Sequence, residues 1–241
     1  MSISGVTDSG GDSRRLGVVQ GQQVANNQLV TIEDLTNALL RGSDFERAQA
    51  AYTLADFKGS AEELNLEELD LVVEALLTAS TTASITSTKT NKTAVFEDII
   101  FALGNLGKDV EGPLRQKALF RLNELFLEHA AQSAKLTKAM SINPTGKSYR
   151  NIHPNVQCHI VYVMRLFGKE AVPFLETAAK DPDDFVRLQT ITVLTDMKTE
   201  MNVEEAVPVL EKALTDLSVD VCLEARRGLG LPYRIKRLFS S

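Results

Sequence analysis

Two stretches near the C-terminal end of the chain have almost the same sequence. Residues 170–181 read EAVPFLETAAKD, and residues 205–216 read EAVPVLEKALTD, 35 positions later. Each copy leads into a second segment with apolar residues at helical spacing, 185–197 and 219–229. A helix pair repeated at this period buries its apolar face only by stacking on neighbouring pairs. The repeat therefore predicts an α-solenoid.

Apolar spacing predicts three further helix pairs upstream. The first begins after Thr31, which is a good N-cap residue, and ends near residue 58. The second covers roughly 66–78 and 95–106, and the third roughly 113–131 and 154–167. The second helices of all five pairs align without gaps on one apolar column, Leu54, Leu103, Met164, Leu194 and Leu229. Apolar positions four before and three after this column fall on the same helix face, so this stripe is the predicted core.

These patterns divide the chain into three parts and predict an all-α fold, a right-handed α-solenoid of about five helix pairs. Residues 1–30 are rich in Gly, Ser, Gln and Asn and predict a mobile N-terminal arm. Residues 31–232 form the solenoid, and the basic residues 233–241 form a C-terminal cap or tail. With two cysteines, no apolar run that could span a bilayer and no secretory signal, we expect a cytoplasmic protein.

Short motifs in the turns resemble those of a known repeat family. Residues 183–187 read DDFVR, residues 44–47 read DFER, and the Leu-Gly-Lys and Phe-Gly-Lys turns end at Lys108 and Lys169. With these residues the chain resembles the HEAT-repeat family, in particular the phycobilisome-lyase HEAT-like repeats of bacteria. The resemblance covers roughly residues 31–230 and implies HEAT-like helix pairs. It leaves function open, because such repeats serve adaptors, chaperones and lyase subunits alike.

Two basic, Ser/Thr/Asn-rich segments interrupt the second and third pairs. Residues 79–93 and 133–153 contain no acidic residue and six basic ones, Lys89, Lys92, Lys135, Lys138, Lys147 and Arg150. Removing these six charges from a chain of net charge −6 leaves −12. Because the turns within repeats lie along one edge of a solenoid, we predict two long loops forming a basic edge suited to an acidic protein surface. Solvated loops without a partner are the alternative, and the net charge disfavours nucleic acid.

The face opposite the core stripe is the predicted binding groove. One column places Tyr52, Phe101 and Tyr162 on successive second helices, and Cys158 and Arg165 share the face of Tyr162. We predict a groove for an apolar helix or a flat ligand, with Arg165 favouring a thiolate at Cys158 or pairing with a carboxylate. Coverage of the rings by the N-terminal arm or an insertion, and Cys158 as a small apolar filler, are the alternatives.

The leading interpretation is a non-catalytic protein-binding adaptor or assembly factor that uses this groove and the basic edge. Its partner is another protein with an acidic surface or an apolar helix. The sequence predicts no catalytic residue and no cofactor, and His153, Cys158 and His159 lack the paired-cysteine spacing of a structural zinc site.

Two alternatives remain open. The resemblance implies a bilin lyase-type subunit or phycobilisome-associated factor, in which the three rings would stack on a tetrapyrrole and Arg165 would meet a propionate. An accessory protein of metal-cluster assembly that uses Cys158 or Cys222 is the other alternative.

Overall fold

The computed structural model describes residues 31–55, 66–86, 90–142 and 152–232. All regular structure within these ranges is helical. The α-helices are α1 (Ile32–Arg41), α2 (Asp44–Ala55), α3 (Leu66–Thr86), α4 (Thr90–Gly107), α5 (Gly112–Ile142), α6 (Ile152–Met164), α7 (Val172–Ala178), α8 (Asp184–Met201), α9 (Val207–Ala213) and α10 (Val219–Gly228). Two 3₁₀ segments, Arg165–Ala171 and Glu204–Ala206, precede α7 and α9. The predicted N-terminal arm and the C-terminal cap lie outside the described residues.

The helices form five consecutive pairs, as the sequence predicts. Within each pair the first helix packs on the second, and the second helices α2, α4, α6, α8 and α10 contact one another in chain order. The first helices α1, α3 and α5 do the same on the other side. An all-α solenoid of HEAT-like pairs is therefore confirmed. None of the described helices combines the length and apolar character that a bilayer crossing requires.

A side-chain cap begins α1 at Thr31, as the sequence predicts, and a second cap begins α2. The Thr31 hydroxyl accepts the Asp34 N–H at 3.1 Å, and the Asp34 carboxylate accepts the Thr31 N–H at 3.1 Å. Ser43 and Glu46 repeat this reciprocal arrangement, with the Ser43 N–H donating to Glu46 at 2.7 Å. Each capping box satisfies two backbone donors that a helix start leaves open.

The predicted apolar stripe is the core. Four of its five column members are buried and Leu229 is half-buried. The column four residues earlier is buried throughout, and its one polar member, Thr190, donates its hydroxyl hydrogen to the Val186 carbonyl at 2.8 Å. Two positions of the same helix face are exposed, Glu46 in the first pair and Pro232 after the last helix. Burial of the stripe thus depends on neighbouring repeats.

One position on the second helix links each of the last repeats to the next. Arg187 in α8 donates through Nε and Nη2 to the two carboxylate oxygens of Asp216, both at 2.9 Å. Gln157 occupies the equivalent position in α6 and donates to Asp181 at 2.8 Å. Each aspartate also accepts the backbone N–H two residues ahead, from Asp183 at 2.9 Å and from Ser218 at 2.8 Å. We call these four side chains, Gln157, Asp181, Arg187 and Asp216, the inter-repeat ladder.

The residue at this helix position makes different contacts in the first and last helix pairs. Arg187 also donates to the Asp181 carbonyl at 2.9 Å, and Cys222, the equivalent residue in α10, directs its thiol to the Asp216 carbonyl at 3.1 Å. The Cys222 side chain therefore makes the contact within its own repeat but is too short to reach another one. Arg47 is the equivalent residue in α2, and its buried Nε has no hydrogen-bond partner among the described residues.

The two basic segments are largely helical, which corrects the prediction of two long loops. Residues 79–86 extend α3, residues 90–93 begin α4, and residues 133–142 extend α5. The hydroxyls of Ser80 and Thr81 donate to the Leu77 carbonyl at 2.7 and 3.2 Å, so the helix itself satisfies groups that are typical of loops. Ser80 is buried and accepts Arg121 Nε of α5 at 3.1 Å, which joins the two first helices.

The predicted basic edge is only partly within the described residues. Lys135 is exposed on α5, and Lys92 and Lys138 lie within α4 and α5. Lys89, Lys147 and Arg150 lie outside the described ranges. The basic edge therefore stays a prediction.

Gly104 allows α4 and α6 to approach closely. A Cβ atom at this position would clash with Cγ1 of Val163. Gly104 itself is buried in the contact between the two helices. Its small size thus serves packing between repeats.

We expect Arg187→Ala and Asp216→Ala to be strongly coupled in a double-mutant cycle, by about 1–3 kcal/mol in the free energy of unfolding. Both side chains are only 13% exposed. Hydrogen bonds from Arg187 lower the pKa of Asp216, so the coupling is complete at neutral pH and decreases as the pH falls below about 4. Urea unfolding measures it.

The matched control is the ion pair between Lys117 and Glu74, which also joins two repeats. Its atoms lie 2.7 Å apart, but the side chains are 60% and 51% exposed. We expect a coupling of at most about 0.5 kcal/mol there. Equal coupling for the two pairs would contradict a larger contribution of the ladder to the joining of successive repeats.

Gly104→Ala is expected to destabilise the fold by about 1–3 kcal/mol, because the added methyl group overpacks the contact with Val163. This loss exceeds the gain of about 1 kcal/mol in helix propensity. Val163→Ala in the same chain removes the clash, so urea unfolding should show a double variant that loses less than the sum of the single losses. Wild-type stability of Gly104→Ala would contradict the close packing.

Candidate functional site

Three aromatic side chains cross the second-helix face opposite the buried stripe. Tyr52 of α2 is 58% exposed, Tyr162 of α6 is 51% exposed, and Phe101 of α4 between them is half-buried. The ring centroids of Phe101 and Tyr162 lie 6.5 Å apart with the planes tilted by 58°. We call Tyr52, Phe101 and Tyr162 the aromatic strip. The structure thus brings together the side chains that the sequence grouped, and their role in binding stays a prediction.

A shallow hollow of about 190 Å³ lies between α2 and α4. Its lining consists of Tyr52, Ala55, Asp98, Phe101 and Asn105. The hollow is continuous with the aromatic strip, because Tyr52 and Phe101 belong to both. Its volume is sufficient to enclose part of a side chain.

Asp98 is a functional candidate that the sequence reasoning missed. It lies one turn before Phe101, is half-buried, and makes no hydrogen bond or ion pair with any residue that the structure describes. Burial, followed by the charge of Glu97, raises the pKa of Asp98 to about 6. The available signal was the acidic pair Glu97-Asp98 within the otherwise apolar start of a core helix.

Glu97 is paired across the repeat boundary. The Nδ1 atom of His159 in α6 lies 3.2 Å from the Glu97 carboxylate, and its ring centroid lies 6.0 Å from that of Phe101. The Glu97 carboxylate raises the pKa of His159 above its ordinary value, against the opposing effect of burial. The geometry is that of an ion pair rather than a well-aligned hydrogen bond, because the buried Nδ1 atom does not meet hydrogen-bond geometry.

Cys158 carries a protonated thiol at neutral pH, so the prediction of a favoured thiolate is wrong. The side chain is half-buried and packs against the core. Burial and the carboxylates of Asp183 and Asp181 raise the pKa of the thiol to about 12. The charges nearest to the sulfur are thus negative, and they come from the turn before α8.

Arg165 belongs to a set of ion pairs on the C-terminal half of the same face. Its guanidinium lies 3.0 Å from Glu200 and 3.8 Å from Asp196, and 5.9 Å from the Tyr162 ring centroid. Asp196 also accepts Arg227 of α10 at 3.1 Å. The expected pairing of Arg165 with a carboxylate is therefore present, but within the chain.

A second hollow lies among the first helices, between α5 and the segment that leads into α7. It measures about 340 Å³ and includes Phe120 and Phe174, whose rings meet edge to face at 5.4 Å. Glu170 lines it and binds Arg115 Nε at 2.9 Å. Among the described residues, no three His, Cys, Asp or Glu side chains are arranged to hold a metal ion.

With Cys222→Ser as the background, we expect iodoacetamide at pH 8 to alkylate native Cys158 at least about 30-fold more slowly than in the urea-unfolded chain. A pKa near 12 instead of 9.0 reduces the thiolate fraction by about a thousandfold. The greater nucleophilicity of a high-pKa thiolate offsets part of this difference. A native alkylation rate equal to or faster than the unfolded rate would contradict the raised pKa and support an activated Cys158 thiolate.

The comparison with protein families matches residues 149–230 to the family described as HEAT repeats. This range contains α6 and the last two helix pairs, and therefore the whole inter-repeat ladder. A search of the curated proteins found no match. The match gives no support to the narrower phycobilisome-lyase resemblance, which stays a prediction.

Two solved structures are similar to this chain at low identity. One is an engineered protein from a structural genomics consortium, with 17% identity and a TM-score of 0.42 over 82% of this chain and 77% of that chain. The other is a designed armadillo repeat protein, with 15% identity and a TM-score of 0.29 over 83% of this chain and 99% of that chain. The stacked helix pairs identify the fold as an α-solenoid, and its C-terminal part is similar to HEAT repeats.

Proposed function

We propose that this chain is a non-catalytic protein-binding scaffold, an adaptor or assembly factor, that holds a helix of its partner on the aromatic strip. The observation that carries the proposal is the strip itself, with two tyrosines more than half exposed around a shared phenylalanine. Tyrosine is enriched among the residues that dominate the energy of protein interfaces. Stacked repeats typically provide extended surfaces of this kind for binding proteins.

The charges around the strip favour an apolar helix over an acidic surface as the occupant. Acidic side chains outnumber basic ones on the described second-helix face, where Glu97, Asp98, Asp196, Glu200 and Glu224 accompany Arg165 and Arg227. An acidic partner surface would therefore be repelled at the strip. The basic edge would have to meet such a surface elsewhere on the chain.

Neither alternative function gains support from the described contacts. A propionate at Arg165 would compete with Glu200 and Asp196, which already compensate the guanidinium. A metal-cluster accessory would require a thiolate, whereas burial and acidic neighbours keep Cys158 protonated. The side chains of this face offer contact surface more than reactive groups.

We expect a triple change of Tyr52, Phe101 and Tyr162 to serine to abolish partner binding while the chain stays folded. Loss of two or three interface anchors at about 1–2 kcal/mol each corresponds to at least a 30-fold weaker Kd. Binding is first detected by photo-crosslinking from position 162 in the native cells and identification of the adduct. The Kd of the purified partner is then measured by isothermal titration calorimetry.

The matched control changes three similarly exposed apolar residues of the first helices to serine, Leu71, Phe120 and Leu127. This control variant should bind as the wild type does. Because Phe101 is half-buried, a double variant with only Tyr52→Ser and Tyr162→Ser separates lost contacts from lost packing. Equal binding by the strip variants and the wild type would refute the proposed function.

A further inference from the structure

Asp98 differs from the other carboxylates described on the second-helix face. Each of those has a basic side chain within 4 Å: Glu97 has His159, Asp196 has Arg165 and Arg227, Glu200 has Arg165, and Glu224 has Arg227. Asp98 has no such neighbour among the described residues, although half of it is removed from solvent. Burying a carboxylate without a partner is unfavourable unless something else compensates its charge.

The walls around Asp98 suit a cation. Tyr52 and Phe101 line the same hollow, and an aromatic face attracts a lysine or arginine head group within about 6 Å of the ring. Asn105 also lines the hollow, and its Nδ2 donates to the Ala55 carbonyl at 3.2 Å. That bond leaves the Asn105 Oδ1 as a further acceptor for N–H groups. The hollow thus combines a carboxylate, an amide oxygen and two aromatic rings.

We propose that this hollow, lined by Tyr52, Ala55, Asp98, Phe101 and Asn105, receives a lysine or arginine side chain of the partner helix. The inference rests on the proposed function, since the same helix would place apolar residues against Phe101 and Tyr162. The aliphatic stem of the basic residue packs between the rings, and its charged end meets Asp98. The partner class is therefore an amphipathic helix with a basic residue beside its apolar face.

Binding of a cation here has a defined pH dependence. The cation favours the ionised form of Asp98, so binding is strongest above the pKa of about 6 and weakens as the pH falls through it. The other titratable groups that face this site are Tyr52 on α2, Glu97 on α4 and His159 on α6. Loss of the His159 proton leaves Glu97 uncompensated, which strengthens cation binding in the same direction. An Asp98 variant therefore has to accompany any pH profile.

The test begins with a phage-displayed library of randomised helical peptides, selected on the wild-type full-length chain. The same selection is run on Asp98→Asn and on the triple strip variant of Tyr52, Phe101 and Tyr162. We expect wild-type selections to enrich a lysine or arginine next to apolar residues. Asp98→Asn should lose the enrichment of the basic residue, and the strip variant should select no such peptides.

The best peptide is then synthesised with its basic residue and with norleucine in that place. We expect fluorescence anisotropy at pH 7.5 to show that Asp98→Asn raises the Kd of the basic peptide by about tenfold, which is about 1.4 kcal/mol. The Kd of the norleucine peptide should not change. At pH 5 the wild-type preference for the basic peptide should shrink toward that of Asp98→Asn. Asp70→Asn removes an equal charge from an exposed site on α3 and should change neither Kd.

The outcomes separate this inference from the proposed function. Peptides that need the strip but show no basic preference, or no response to Asp98→Asn, would overturn the cation site and leave the scaffold function standing. Selections that do not distinguish the wild type from the strip variant would overturn both. Asp98→Asn removes a charge disfavoured by burial and by Glu97, so a melting temperature at or above that of the wild type confirms that the variant is folded.

Discussion

Burial of one apolar stripe along the second helices is the constraint on which the rest of the structure depends. A single helix pair covers this stripe on one side only, and the next second helix covers the remainder, as Gly104 against Val163 illustrates. Because hydrophobic stabilisation scales with the apolar area removed from water, stability is shared among neighbouring repeats. The opposite face of each second helix is only partly buried, and the aromatic strip lies on it.

Hydrophobic burial does not distinguish one stacking register from another, and polar contacts supply that distinction in the C-terminal half. Gln157 with Asp181 and Arg187 with Asp216 join equivalent positions of successive repeats. Backbone N–H groups of their own turns hold the two aspartates. The Gln157 and Arg187 side chains of the preceding repeats therefore bind acceptors that are already oriented. In the last described repeat Cys222 occupies the equivalent position, and its thiol contacts the Asp216 carbonyl within the same repeat.

The second-helix face changes in character from one end to the other. Ion pairs such as Arg165 with Glu200 and Arg227 with Asp196 occupy the C-terminal half. The N-terminal half presents aromatic rings and Asp98, which has no ion-pair partner among the residues that the structure describes. Paired charges gain little from a further partner, whereas exposed rings and an uncompensated carboxylate gain from one. This asymmetry favours the half built by α2, α4 and α6 as the location of the proposed binding surface.

Much of the fold follows from the sequence by itself: the five helix pairs, the cap at Thr31, the buried stripe and the shared face of Tyr52, Phe101 and Tyr162. These features depend on spacing within one helix or on the repeat period, and both can be read along the chain. Only the tertiary structure decided that Cys158 stays protonated, that Arg165 is already paired and that Asp98 has no partner within the described ranges. Those properties depend on charges and burial contributed by other repeats, and linear spacing does not contain them. The helical extensions of α3 and α5 belong to the same class, because contacts such as Arg121 with Ser80 favour helix in segments whose composition is typical of loops.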